Sequence, residues 1–386
     1  MFSIKNNKSA IIWLGSAHLV SDFYTGFLNP LMPFLAAKLG FSMAIATVII
    51  AITQICSNML QPVFGFFADN FYKRFFIFWG VVLVSTFVPL AVLAPNAILL
   101  TLSMILGCLG SSFFHPQAMG FINIFSQENH SNNMGIFVSL GSLGFALGPL
   151  FASFITQIIG LESIKYTSLL GITLACLMFI FVPKLSLSQS YSKKLSFFKT
   201  FNLIVKNSQI KLLILISMMK SIVTNSSCIL LPFLWKTLGH GAFYIGVSLF
   251  LFVFAGSIGS YFSPRLEEKF GSKTIIYFSM WATFPMMFIF SILYESFPFL
   301  SMLLFALMGF TTMLAQPVTL VKAQKALPEF KSIVSGLING FCWGVVALLL
   351  SGLGAIAEKF GIINVLLVLT ILPLFFSYYV RFLKED

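Results

Sequence analysis

The sequence predicts an all-α membrane protein of twelve transmembrane helices in two pseudo-symmetric six-helix bundles. Three observations carry that prediction: composition, the length of the apolar runs, and an internal repeat. Of 386 residues, 58% are hydrophobic and only 9% charged, with a mean hydropathy of +0.98. Soluble domains carry about 25% charge, so a water-soluble fold would lack side chains to cover its surface. A helix needs about 20 apolar residues to cross about 30 Å of hydrocarbon. Lipid offers no partner for free backbone groups, so helices or closed barrels are the only spanning solutions. The runs here are long and do not alternate, which excludes a barrel.

In chain order the predicted spans are 10–35, 43–67, 75–94, 97–124, 132–159 and 164–182. After a Lys-rich connection come 209–236, 241–263, 274–294, 299–321, 332–357 and 361–380. The chain thus divides into an N-terminal bundle (1–182), a cytoplasmic linker (183–208) and a C-terminal bundle (209–386). The first apolar stretch is too long for a signal-peptide core and has no cleavage site after it, so it is expected to remain as span 1.

Lys and Arg set the orientation. With both termini inside, 18 of the 23 fall in cytoplasmic segments, four on the opposite side, and Lys220 inside a span. This is the positive-inside pattern of a multi-pass protein of a bacterial inner membrane. It accounts for the formal charge of +12 without nucleic acid, whose binders need a basic soluble surface. The five cysteines lie within spans at no metal-ligand spacing, so neither a metal site nor a disulfide framework is expected.

Sliding the chain by 199 residues reveals the repeat. Met32-Pro33-Phe34-Leu35 then meets Leu231-Pro232-Phe233-Leu234, Asp69 meets Glu268, Arg74 meets Lys273, and Gly110 meets Gly309. Pro116 falls near Pro317 after a two-residue slip. Parallel six-helix repeats are an architecture of secondary transporters, with the substrate site near the midplane between the halves.

With these features the sequence resembles the major facilitator superfamily over essentially its whole length. Gly65-Phe66-Phe67-Ala68-Asp69-Asn70-Phe71-Tyr72-Lys73-Arg74 is similar to the family's Gly-x-x-x-Asp-x-x-Gly-Arg-Lys loop, with Tyr72 in place of the second glycine. The resemblance implies a conformational latch at Asp69, Lys73 and Arg74, repeated at Glu268 and Lys273. Two stretches, His18-Leu19-Val20-Ser21-Asp22 with Pro30-Leu31-Met32-Pro33, and Ser111 to Ala118, resemble the fosmidomycin-resistance branch of efflux transporters. Gly144, Gly148 and Pro149 are similar to a Gly-x-x-x-Gly-Pro motif of drug–proton antiporters. Their small side chains allow close helix approach, and packing alone would also explain them. Many proton-coupled members carry an Arg where Ser103 stands, so any proton route here must use other residues.

Four ionisable side chains lie within spans: His18, Asp22, His115 and Lys220. A charge at the bilayer centre costs at least about 2.5–3.5 kcal/mol, so such groups face a cavity or a partner. His18 and Asp22, four apart, share one face of span 1. With His115 they form a proton-titratable set, although His115 could instead serve only the helix carbonyls near Pro116. Lys220 offers a positive site for an anionic substrate or a counter-ion for Asp22, which the resemblance places across the central cavity. Gln316 stands where His115 stands in the other half, and Asn225 adds hydrogen-bonding capacity to span 7.

The sequence offers no catalytic constellation and no phosphate-cradling loop, so neither an enzyme nor an ATP-driven pump is expected. The expected activity is secondary active transport by alternating access: proton-coupled efflux of a small anionic or amphipathic compound. The proton is the coupling ion, and no cofactor is expected. The expected partners are that small molecule and the lipid bilayer, with the chain acting as a monomer. The alternative is a proton-driven uptake carrier for a nutrient or metal chelate.

Overall fold

The computed structural model describes residues 8–41, 43–71, 75–126, 129–182, 196–240, 242–350 and 353–384. Among them, eleven helices are long and apolar enough to cross a membrane. They correspond to spans 2–12 of the sequence reading. Span 1 differs because it is broken: Lys8–Thr25 stops at Gly26-Phe27 and resumes as Leu28–Leu39. Gly26 lies against Pro149 and the carbonyl of Phe145, so a Cβ there would meet both at 3.1–3.2 Å. The polar His18, Ser21 and Asp22 also dilute the apolar run. The chain is a multi-pass membrane protein.

The two prolines that align in the repeat behave differently. Span 4 (Ala97–Ser126) runs as one helix through Pro116. Span 10 stops at Leu314 and restarts at Gln316, so Pro317 falls in a first helical turn, where its missing N–H costs nothing. Spans 2 and 11 contain π-helical stretches, Ile55–Met59 and Gly336–Phe341. Such stretches leave carbonyls without the usual partner. In span 2 the Ser112 hydroxyl reaches the carbonyls of Cys56 and Ser57, the latter at 2.7 Å.

Close helix approach is built on glycine. In span 5 (His130–Ile158), Gly141, Gly144 and Gly148 press onto span 1. A Cβ at Gly144 would sit 2.1 Å from the Leu19 carbonyl oxygen, and one at Gly148 2.3 Å from that of Phe23. In span 11, Gly336, Gly340 and Gly344 recur every four residues and press onto Gln61 and Met59 of span 2, across the boundary between the halves. Spans 5 and 8 form the second cross-half contact, where Ser257 donates to the Ser139 carbonyl at 2.6 Å.

The expected linker is not all loop. Phe197–Lys206 forms a helix whose Phe197, Phe201 and Ile204 face the bundle, while Lys199 and Lys206 are exposed. Phe197 packs on Phe66 of span 2 at 5.5 Å between ring centroids. Residues 183–195 lie outside the described residues.

Candidate functional site

The intramembrane ionisable residues separate into two sites. The first joins spans 1, 4 and 5. Helical spacing places His18 and Asp22 one turn apart, and their Nε2 and Oδ2 atoms are 3.2 Å apart. From span 4, His115 brings its Nε2 to 3.0 Å from the other oxygen, Oδ1. One carboxylate is therefore clasped by two imidazoles.

The opposite nitrogens determine what that clasp requires. His18 Nδ1 lies 2.7 Å from the carbonyl oxygen of Phe137, and His115 Nδ1 lies 2.8 Å from that of Ser111. A carbonyl oxygen only accepts, so His18 Nδ1 must carry its hydrogen, whereas His115 Nδ1 also meets the Ser111 hydroxyl at 3.1 Å, which can accept from it or donate to it. Each Nε2 then faces a carboxylate oxygen that also only accepts when ionised. At His18 an added positive species has to close the contact, and a proton on Nε2 does so as a charge-assisted hydrogen bond. At His115 either such a proton or the neutral Nε2–H tautomer, with Nδ1 accepting from the Ser111 hydroxyl, closes it. With both imidazoles protonated the triad carries a net charge of +1, and with neither it carries −1. The donor atoms of the three residues lie within 4.8 Å of one another, so a small cation could close the same contacts.

The triad is walled by rings. Phe137 stacks on His18 at 4.1 Å between centroids, His115 meets His18 edge-on at 4.9 Å, and Phe114 lies 5.8 Å away. Gly141 makes room for the His18 ring, which a Cβ would meet at 2.3 Å. The side chains of His18 and His115 are 5% and 8% exposed, against 17% for Asp22. Asp22 is therefore the most accessible member of the triad. His115 bonds the Ser111 carbonyl, not that of Ser112, which Pro116 deprives of its backbone donor; holding the kink is thus not its role here.

The second site lies in the other half. Lys220 and Gln316 line one small cavity of about 20 Å³, with Ser217, Ser221, Asn339 and Trp343 among its other walls. Gln316 donates from Nε2 to Asn339 Oδ1 at 2.7 Å. The expected pairing of Lys220 with Asp22 is absent from this arrangement: Asp22 is engaged by the histidines, and no ion pair among the described residues includes Lys220. Asn225 bonds back to the Ser221 carbonyl of its own helix at 3.1 Å and is not a wall of this cavity.

The latch expected at Asp69, Lys73 and Arg74 lies outside the described residues, Asp69 through its side chain. Glu268 is exposed, and Lys273 reaches the Arg381 carbonyl at 3.4 Å. The described cross-half contact at this end uses Glu267, whose carboxylate accepts from Ser131 at 2.8 Å. Beside it is a network that the sequence reading missed. Gln324 of span 10 meets His130 Nε2 at 2.9 Å and Asn123 at 3.3 Å, and donates to Ser335 at 2.7 Å. These residues come from spans 4, 5, 10 and 11, so the halves are closed on one another at the end that carries the termini. Ser103, at the position of the antiporter arginine, donates to the Phe87 carbonyl at 2.8 Å.

Comparison with known proteins agrees with this architecture. A family model described as the Major Facilitator Superfamily matches residues 14–351. The Fosmidomycin resistance protein of Escherichia coli (strain K12) is 27% identical over 93% of this chain and 88% of its own. The uncharacterized MFS-type transporter YfnC of Bacillus subtilis (strain 168) is 23% identical over 94% and 90%. Among solved structures, the human organic anion transporter MFSD10 (TETRAN) superposes with a TM-score of 0.79. It covers 97% of this chain and 99% of that one at 16% identity, a likeness of fold.

Proposed function

The chain belongs to the Major Facilitator Superfamily, whose members are transporters, and from that premise we propose that it is a proton-coupled exporter of a small anionic or amphipathic compound. It works by alternating access in a bacterial inner membrane, with both termini cytoplasmic. The observation that carries the reading is Asp22 held between His18 and His115 at 3.2 and 3.0 Å. His18 Nδ1 is committed to a carbonyl, so proton occupancy decides whether the triad attracts or repels itself. A change in that balance as the halves rock is a means of coupling. Export is supported by the relative named for fosmidomycin resistance and by the small-residue seam at Gly144 and Gly148.

The test is fosmidomycin transport by the purified protein in liposomes of known orientation under an imposed pH gradient. Wild type should move the compound in the export direction against its own gradient. Asp22→Asn should lose gradient-driven accumulation at least tenfold while retaining counterflow exchange. A chelator should leave wild-type transport unchanged, since a proton and not a metal ion closes the triad. Undiminished gradient-driven transport by Asp22→Asn would refute the coupling, and accumulation in the opposite direction would make the protein an uptake carrier.

A further inference from the structure

Lys220 lies within the helix Ser208–Thr237 and is 8% exposed. An ammonium inside a membrane span costs at least about 2.5–3.5 kcal/mol on insertion scales unless something offsets its charge. Asp22 does not do so here, and among the described residues no hydrogen-bond or ion-pair acceptor stands at its Nζ.

The surroundings of Lys220 are polar and carry no charge of their own. The Ser221 hydroxyl is buried without a partner. Asn339 spends its Oδ1 accepting from Gln316, which leaves its Nδ2 hydrogens as donors. The Thr312 and Thr319 hydroxyls, also walls of the cavity, donate to carbonyls of their own helices at 2.7 and 3.0 Å and so offer it only lone pairs. No carboxylate lines the cavity. An ammonium, a hydroxyl and an amide therefore bound one space with donors to spare and no resident anion. At about 20 Å³ that space admits roughly one water-sized group, so it would take one oxygen of a headgroup and leave the remainder of a ligand outside. Trp343 on the wall supplies an aromatic surface for an apolar tail.

We propose that this cavity is the headgroup subsite for a single oxyanion, a carboxylate or sulfonate carried on a small amphipathic compound, with Lys220 as its counter-ion and Ser221 and Asn339 as its hydrogen-bond donors. The inference rests on the reading of the chain as an exporter of small compounds and names the chemistry of what it carries. It also separates the two ligands, with protons held in the first half and the oxyanion in the second.

The probes are hexane-1-sulfonate, which is anionic at every working pH, and hexanamide, which has the same chain and no charge. Thermal unfolding of the detergent-purified protein reports binding, since a ligand that binds only the folded state raises the midpoint. Hexane-1-sulfonate should raise the wild-type midpoint saturably, and hexanamide should not. Lys220→Met, which removes an uncompensated buried charge and so should fold, should weaken the sulfonate at least tenfold. Asn339→Ala should weaken it by about tenfold, the loss of one hydrogen bond to a charged group. Equal shifts by both probes, or sulfonate binding by Lys220→Met at wild-type strength, would overturn the proposal. Because these readings need no pH gradient, they fail or succeed independently of proton coupling.

Discussion

Spans 1 and 7 are repeat mates, yet they hold their intramembrane charges in opposite ways. In span 1, Asp22 is enclosed by His18 and His115 within its own bundle, and the imidazoles are fixed from behind by carbonyls of spans 4 and 5. In span 7 the equivalent of Asp22 is Ser221, and the neighbouring Lys220 faces a cavity with donors and no acid. The same backbone plan thus yields one charge cluster that its own residues complete and another that a ligand completes. The four-residue glycine stripes of spans 5 and 11 differ as well. The stripe of span 5 presses on span 1 of its own bundle, whereas the stripe of its mate, span 11, presses on span 2 of the other. Span 5 also presses across the boundary, where a Cβ at Gly135 would meet Pro264 of span 8 at 2.6 Å.

Five substitutions test that contrast, starting with the largest effect. Asp22→Asn removes the centre of a buried charged triad, and losing one partner of such a group costs about 3–5 kcal/mol. Denaturation of the purified protein should show a loss of that order, and a change below about 1 kcal/mol would mean the triad is not closed by charge. Lys220→Met should have the opposite sign, with stability unchanged or raised by up to about 3 kcal/mol, because no acid is orphaned. The two effects should add within about 0.5 kcal/mol, since the residues share no contact. A larger coupling in the double mutant would restore the direct Asp22–Lys220 pair that the sequence suggests.

Packing effects come next. Gly144→Ala places a methyl 2.1 Å from the Leu19 carbonyl, and overpacking of this kind costs about 1–3 kcal/mol. Gly246→Ala, whose Cβ would meet only Leu150 at 4.0 Å, should change stability by less than about 0.5 kcal/mol in the same assay. Equal costs at the two sites would contradict the tight seam. The last test concerns the closed end. Gln324→Leu removes hydrogen bonds worth about 0.5–1.5 kcal/mol each, so it should shift the balance away from the closed arrangement severalfold. Distances between spin labels on spans 4 and 10 would report the shift, and an unchanged distribution would remove Gln324 from the gate.

The sequence made the spans, the repeat and the His18–Asp22 pair legible because each follows from a period: about 20 apolar residues to cross, 199 between the halves, four along one helix face. Contacts between helices depend on how each helix is rotated and slid against its neighbours, and no single-chain period carries that. Asp22 had two candidate partner types at similar depth, and tertiary packing awarded it His115 rather than Lys220. The same limit hid Gln324, His130 and Asn123, ordinary polar residues near span ends until four helices converge on them. Two signals could have been found. Gly336, Gly340 and Gly344 repeat every four residues, as a close-packed helix face requires. Phe197, Phe201 and Ile204 mark a helical stripe inside the Lys-rich linker.

The account's central claim is that the first half holds protons and the second half holds the transported anion, with each answering to the other. Calorimetry of hexane-1-sulfonate binding in two buffers of different ionisation enthalpy counts the protons released as the probe binds. Wild type should release protons, because an anion bound at Lys220 and a proton-loaded triad belong to opposite stages of an exchange cycle. Asp22→Asn should bind the probe with similar affinity and release about none. Proton release by Asp22→Asn equal to that of wild type would place the exchanged proton elsewhere and contradict the division of labour between the halves.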